Sequence, residues 1–275
     1  MSERRRYPSD LSDASWQLVE PVLAAWRCER RGRGLDIGRP PDHDLRSLLD
    51  AVLYVNRTGI PWRYLPHDYP HWNTVYAYFA RWQEEDIFDQ LNTLLRRQEG
   101  REEEPTACVI DSQSIKTSTN VPAREQGIDA GKKIVGHKRN IVIDTVGLLR
   151  TVLVTAASVQ DSIAGQTLID RIAADHPTVR KTWVDGGYRQ YLVEHAATLG
   201  IDMHIVRRDP TTRGFTVLPR RWTVERTLGW LMNHRRLARD YEAHSRCSEA
   251  MIHLAMINLM TRRPTAECTP TWRGA

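Results

Sequence analysis

The stretch Ala107-Cys108-Val109-Ile110-Asp111-Ser112 constrains the chain most: it is an apolar run broken off by a carboxylate. A strand buried on both faces reads as continuous hydrophobe until it leaves the sheet, so an acid at that exit faces solvent or a cation. Thr182-Trp183-Val184-Asp185-Gly186-Gly187 repeats the pattern, and its two glycines let backbone or ligand come close. Glu225 lies in an Arg-rich helical stretch expected from Pro219 to Glu242. Two acids at strand ends and one on a helix, among excess Arg and Lys, suit a divalent-cation site acting on a phosphodiester.

Charge is divided unevenly along the chain. Net charge is +5, yet residues 1–104 carry 15 Arg, no Lys and 18 acids, a net of −3, while residues 105–275 carry 24 basic residues and 16 acids, a net of +8. The basic half is the half with the three carboxylates, as a polyanionic substrate requires. A solvated basic surface gives the same balance, so charge alone does not choose. Cys28, Cys108, Cys247 and Cys268 are widely spaced with no CxxC pair, which argues against a zinc module or disulfide scaffold and fits a reducing compartment. The start, Met1 to Arg6, has no apolar signal core, and the longest mostly apolar run, Met251 to Met260, is interrupted by His253 and Asn258 and is too short to span a bilayer. The expectation is a soluble intracellular protein in the cytoplasm, with no membrane partner.

The first part of the chain reads as helices. Ser12 caps a helix over 12–27 with Trp16, Val19, Val22, Leu23 and Trp26 at helical spacing. Arg27 to Arg39 reads as a basic loop, with a DNA-contacting arm and a plain surface loop equally open. Pro40-Pro41-Asp42 starts a second helix, Gly59 to Pro66 breaks it with an aromatic-rich turn, and helices follow over 71–82 and 87–97. Helix, turn and second helix resemble a helix-turn-helix, whose second helix lies in a major groove. Arg63, Asn73 and Arg81 are then the candidate DNA contacts; a helical bundle with an aromatic core is the plainer alternative. Glu99 to Pro105 is charged, contains Gly and Pro and lacks apolar anchors, so the domain boundary is expected there, dividing an all-α domain over 1–104 from a second over 105–275.

The second domain alternates strands and helices. Strands are expected over 107–111, 140–144, 148–156, 181–185 and 203–206, and helices over 161–175, 189–199, around Glu225, and over 248–262. The intervening loop, Ser112 to Lys138, ends in Gly131-Lys132-Lys133-Ile134-Val135-Gly136-His137-Lys138, where Lys132, Lys133 and Lys138 can hold phosphates; the segment fits no Walker pattern, and a solvated loop reads almost as well. Asp144 reads as a hairpin-turn residue and Asp161 as a helix N-cap. The order β, β-hairpin, α, β, α, β, α is that of an α/β ribonuclease H-like domain, a mixed five-stranded sheet with strand one central.

Three motifs carry a resemblance. Val109-Ile110-Asp111-Ser112, Val184-Asp185-Gly186-Gly187-Tyr188 and Arg220-Arg221-Trp222-Thr223-Val224-Glu225-Arg226-Thr227-Leu228-Gly229-Trp230-Leu231 resemble the acidic motifs of bacterial insertion-sequence transposases of the IS-five type, within the wider IS-four/IS-five group of DDE transposases. Gly59 to Pro66 and Trp72 to Tyr76 are similar to the same family, so the likeness covers nearly the whole chain. The resemblance implies a metal-binding triad of Asp111, Asp185 and Glu225, with Arg221 at the family arginine before the glutamate. Related transposases often have a tyrosine and a lysine flanking the glutamate; Leu218 and Met232 stand there, and Arg235 or Arg236 is expected to replace the lysine at a phosphate.

The activity implied is cutting at the terminal inverted repeats of an insertion sequence and joining the ends to target DNA, by a homodimer or larger assembly acting at the nucleoid. Mg²⁺ is the expected ion and Mn²⁺ its substitute, since all ligands are hard oxygens. A structure-specific nuclease on the same fold, or a DNA-binding protein on a catalytically retired scaffold, are the alternatives.

Overall fold

A computed structural model of the chain describes residues 4–30, 43–99, 105–207 and 221–268, the side chain of Arg221 excepted. Of the basic loop expected over 27–39, residues 27–30 instead end the first helix, and residues 31–39, the start of the second helix at 40–42 and Leu218 lie outside the described residues. The chain forms two compact units, one of Met1–Arg101 with Asn233–Leu237 and His253–Ala275, the other of Glu102–Met232 with Ala238–Ile252.

The first unit is helical: α1 (Asp13–Arg30), α2 (Leu45–Thr58), α3 (Trp72–Glu84) and α4 (Ile87–Gln98). Ser12 caps α1, its Oγ accepting the Ser15 N–H at 3.0 Å. Asp44 caps α2 through the Ser47 N–H at 2.9 Å, and Gly59, at φ 77°, closes it in the left-handed conformation that glycine adopts without penalty. Aromatics hold the helices together, with Trp82 set edge-on to Trp26, Tyr78 and Phe88 at centroid distances of 5.9, 5.7 and 6.3 Å. Residues 59–71 separate α2 from α3 and include a 3₁₀ turn at Trp62–Tyr64, a longer connection than the turn of about three to four residues in a helix-turn-helix.

Two later pieces of chain complete this unit, which a single cut near residue 100 does not describe. Arg57 donates to the Asn233 carbonyl at 2.7 Å, Arg236 to the Ile60 carbonyl at 3.0 Å, and Ser15 Oγ to the Thr261 carbonyl at 3.1 Å. These are single side chains reaching single carbonyls, a kind of contact that leaves no pattern in the sequence.

A buried carboxyl in this unit gives stability a pH dependence. Asp50 Oδ1 accepts the Leu11 N–H at 2.9 Å, and burial pushes the Asp50 carboxyl up to about 7. The folded chain then holds a proton that the unfolded chain releases near pH 4, so this group's contribution falls as pH rises from about 4 to 7. Asp50→Asn keeps the acceptor oxygen and should flatten that decline in urea melts at pH 4.5 and 7; an unchanged decline would contradict the assignment.

The second unit is built on a mixed sheet. Its strands are β1 (Ala107–Lys116), β2 (Gly127–Asp129), β3 (Ile134–Asp144), β4 (Leu149–Ala156), β5 (Lys181–Asp185) and β6 (Asp202–Val206). β1 is central, antiparallel to β3 on one side and parallel to β5 on the other; β6 continues beyond β5, and β4 and the short β2 line the far edge of β3. Helices α5 (Asp161–Asp175) and α6 (Gln190–Thr198) bury Leu168, Ile169, Ile172, Leu192 and Ala196 against Cys108, Ile110, Val142, Val184 and Met203. This is the expected ribonuclease H-like arrangement with strand one in the middle.

Three expectations need correcting. β1 does not stop at Asp111 but runs to Lys116, because β3 pairs with it as far as Gly136. The expected loop 112–138 therefore holds the rest of β1, a 3₁₀ turn at Ala123–Glu125, β2 and the start of β3. The expected long helix around Glu225 is broken into α7 (Arg221–Leu231) and α8 (Arg235–Ala238), the break falling at Asn233 and His234, both weak helix formers. The last helix, α9, spans Ser245–Arg262.

Candidate active site

Strand register sets the two aspartates near one level of the sheet. β1 and β5 pair in parallel up to Val109 and Trp183, so two residues later Asp111 draws level with Asp185, where β5 ends. Beyond this point β1 continues beside β3 alone, leaving its other edge without β5. Ligands of open α/β sheets gather at such carboxyl ends of parallel strands. Asp111 is 8% exposed and its Oδ1 accepts the Ser112 N–H at 2.8 Å; half-buried Asp185 accepts the Gly187 N–H at 2.9 Å.

Alternation fixes the face. Cys108, Ile110 and Val184 point into the core under α5 and α6, so alternation turns Asp111 to the opposite face, whereas Asp185, the last residue of β5, shares the space at Gly187 with Asp161 at the start of α5. α7 packs on β1 and β5, and its buried stripe of Val224, Leu228 and Leu231 is separate from that core. The β3–β4 turn anchors it: Arg226 donates to the Val146 carbonyl at 2.8 Å and Thr227 Oγ1 to the Gly147 carbonyl at 3.0 Å. Gly147, at φ 95°, permits the approach, since a Cβ there would stand 2.7 Å from Thr227 Oγ1. Glu225 lies on the exposed side of α7, and Arg226 is sandwiched between Trp222 and Trp230, 4.2 and 4.5 Å from their ring centroids. Asp144 is the turn residue expected, its Oδ1 accepting the Val146 and Leu148 N–H groups, both at 2.9 Å.

Asp161 is not the N-cap expected of it. Gln160 occupies that position, and Asp161 is the first residue of α5. Its Oδ1 accepts from Ser112 Oγ at 2.9 Å and pairs with Lys138 Nζ at 2.9 Å. Lys138 is buried and also donates to the Val159 carbonyl at 2.7 Å, so its ammonium serves the interior of the unit. An acid at a helix start reads as a cap, and nothing in the sequence set Asp161 apart. In the sequence Tyr188 stands out only as the end of the Val184–Tyr188 motif. Its hydroxyl is buried without a hydrogen-bond partner among the described residues. Burial, then the charges of Asp111, Asp161 and Asp185, push it well above the usual phenol range.

The other sequence candidates scatter. Lys132 and Lys133 are exposed in the β2–β3 turn, where Asp129 Oδ1 accepts the Gly131 and Lys132 N–H groups at 3.1 and 3.0 Å. Arg235 is exposed, whereas Arg236 is buried on the Ile60 carbonyl; both belong to the first unit. Arg63, Asn73 and Arg81 are exposed in that unit, Arg63 over the Trp72 ring at 5.2 Å. Arg221 offers no described side chain.

Among the described residues, no three His, Cys, Asp or Glu side chains stand at separations that would hold one cation. The donor chemistry is nevertheless that of a hard divalent cation: Asp111, Asp161 and Asp185 carry carboxylate oxygens, and the charges of all three act on the buried, unpartnered Tyr188 hydroxyl.

Residues 11–92 match the family model DUF4096, a domain of unknown function described as a transposase of the IS4/5 family. Residues 102–260 match the family model for the transposase DDE domain. No curated protein matches the chain. No helix among the described residues is long and apolar enough to cross a membrane.

Proposed function

The chain belongs to the DDE-domain transposases of the IS4/5 family, and from that premise we propose that it cuts at the terminal inverted repeats of its own insertion sequence and joins the 3′ ends to target DNA. The family implies a DNA-binding enzyme that cuts and transfers strands with divalent metal. The observation that carries the finer reading is the parallel register of β1 with β5, which, continued two residues beyond Val109 and Trp183, sets Asp111 level with Asp185.

Asp111 and Asp185 offer oxygens to Mg²⁺ or Mn²⁺, and Glu225 on α7 completes the set. An ion held there would supply Lewis acidity to the attacking and leaving oxygens. Burial holds the Tyr188 hydroxyl well above the usual phenol range, so it stays a neutral donor and adds no negative charge to the site. Lys138 offsets the charge of Asp161. Two element ends have to be held and cut together, so a homodimer or larger assembly at the nucleoid is part of the proposal.

Sequence recognition belongs to the helical unit in this reading. Asn73 and Arg81 stand two turns apart on α3 with exposed Tyr76 between them, and Arg63 and exposed Tyr64 lie in the turn before it. A good side-chain contact to a base edge discriminates by about 1–3 kcal/mol. The Asn73→Ala, Arg81→Ala double variant should therefore lose on the order of tenfold or more of its preference for element ends over random duplex. Competition gel shifts read this; an equal loss on both DNAs would mean phosphate contacts only.

The function itself is tested by incubating the protein with Mg²⁺, DNA carrying the ends of its element and a target plasmid, then sequencing the products. Joints of 3′ ends to target are expected. Nicked ends without joints would favour a nuclease, and uncut but bound ends a retired scaffold.

A further inference from the structure

We propose that Asp161 is a fourth carboxylate of the cation site, facing the same pocket as Asp185 from the start of α5. The inference rests on the reading of this pocket as the divalent-cation site and extends it by one ligand.

Its first support is a space kept open by glycine. A Cβ on Gly187 would stand 3.0 Å from Asp185 Oδ1 and 3.5 Å from Asp161 Oδ2, so the two carboxylates converge on a point that only hydrogen occupies. Gly187 is not among the glycines with positive φ, so the backbone does not demand glycine there; the open space is the reason that remains.

The second support is independent. The Tyr188 side chain is buried against Gly165 of α5, and its hydroxyl, on which the charges of Asp111, Asp161 and Asp185 all act, has no partner among the described residues. A buried polar atom left over in this way marks a place where a further group completes the bonding.

Asp161 itself is prepared for such a role. Its bonds to Ser112 Oγ and Lys138 Nζ both end on Oδ1, which leaves Oδ2 turned towards Gly187. A capping aspartate would instead bond an N–H of the first helical turn, and α5 has no side-chain cap. Lys138 fixes the rotamer of this carboxyl through their 2.9 Å contact, as the partners of metal ligands do. The plainer alternative is a clamp in which Asp161 only ties α5 to β1 and β3.

Calorimetric titration of Mn²⁺ into the full-length protein without DNA separates the two. Asp161→Asn should weaken Mn²⁺ binding on the order of 10- to 100-fold, and Gly187→Ala should weaken it by placing a methyl between the carboxylates. If Asp161→Asn binds Mn²⁺ like the wild type while Asp111→Asn does not, the fourth-ligand proposal is overturned and the cation site stands. If Asp111→Asn also binds normally, the cation-site reading fails first. Should Asp161→Asn not fold by circular dichroism, Asp161→Glu and Gly187→Ala take its place, and unchanged affinity in both overturns the proposal.

Discussion

Asp111→Asn should leave the protein folded and bound to its element ends while strand cleavage falls on the order of 10³-fold or more. The substitution keeps size and shape, and the asparagine oxygen can still accept the Ser112 N–H that Asp111 accepts at 2.8 Å. What goes is a formal charge and a hard anionic ligand, on a strand buried between β3 and β5. Affinity for DNA should hold or improve slightly, because one of several neighbouring anions has been removed from a surface that receives phosphates. Nicking assays and gel shifts on the same preparation separate the two quantities. Normal cleavage by this variant would remove Asp111 from the chemistry.

The largest expected effect on stability lies at Trp82. The side chain is fully buried, and three aromatic neighbours pack edge-on around it. Trp82→Ala should cost ~3–5 kcal/mol, a large share of the ~5–15 kcal/mol that holds a domain folded. The Trp82 indole N–H has no partner among the described residues, so part of that ring is already poorly satisfied. Trp82→Phe keeps most of the contact and removes the unpaired donor, and should cost much less. Urea unfolding of both variants checks the pair; a Trp82→Ala cost below about 1 kcal/mol would mean that the aromatic cluster is not the centre of the helical unit.

Much of this architecture is legible in the sequence where a local rule and the tertiary structure agree. The strand over 181–185 and the helix over 161–175 sit where the reading expects them, because an apolar run and an apolar helical face meet in one core. β1 is legible only in its first half. Its second half, Ser112 to Lys116, is mostly polar and pairs with β3 on one side alone, so neither hydrophobicity nor alternation reveals it. The two aspartates show in the sequence as two similar motifs, but that they end near one level follows from the parallel register of β1 with β5, Val109 beside Trp183, which no residue announces. Asp161 stayed hidden for a related reason. Its partners, Ser112 and Lys138, come from β1 and β3, and only the folded sheet brings them to one oxygen. Arg236 shows the converse: a basic residue near the glutamate motif looked free for phosphate, and the structure spends it on a backbone carbonyl.

The central claim is that Asp111 and Asp185 hold one divalent cation at the end of β5. A crystal of the full chain grown with Mn²⁺ and element-end DNA tests it through the anomalous signal of the ion. The account predicts a Mn²⁺ peak with an oxygen of each aspartate at ~2.0–2.6 Å. Ordered end DNA with the ion elsewhere, or with Asp111 and Asp185 turned away from it, would contradict the account.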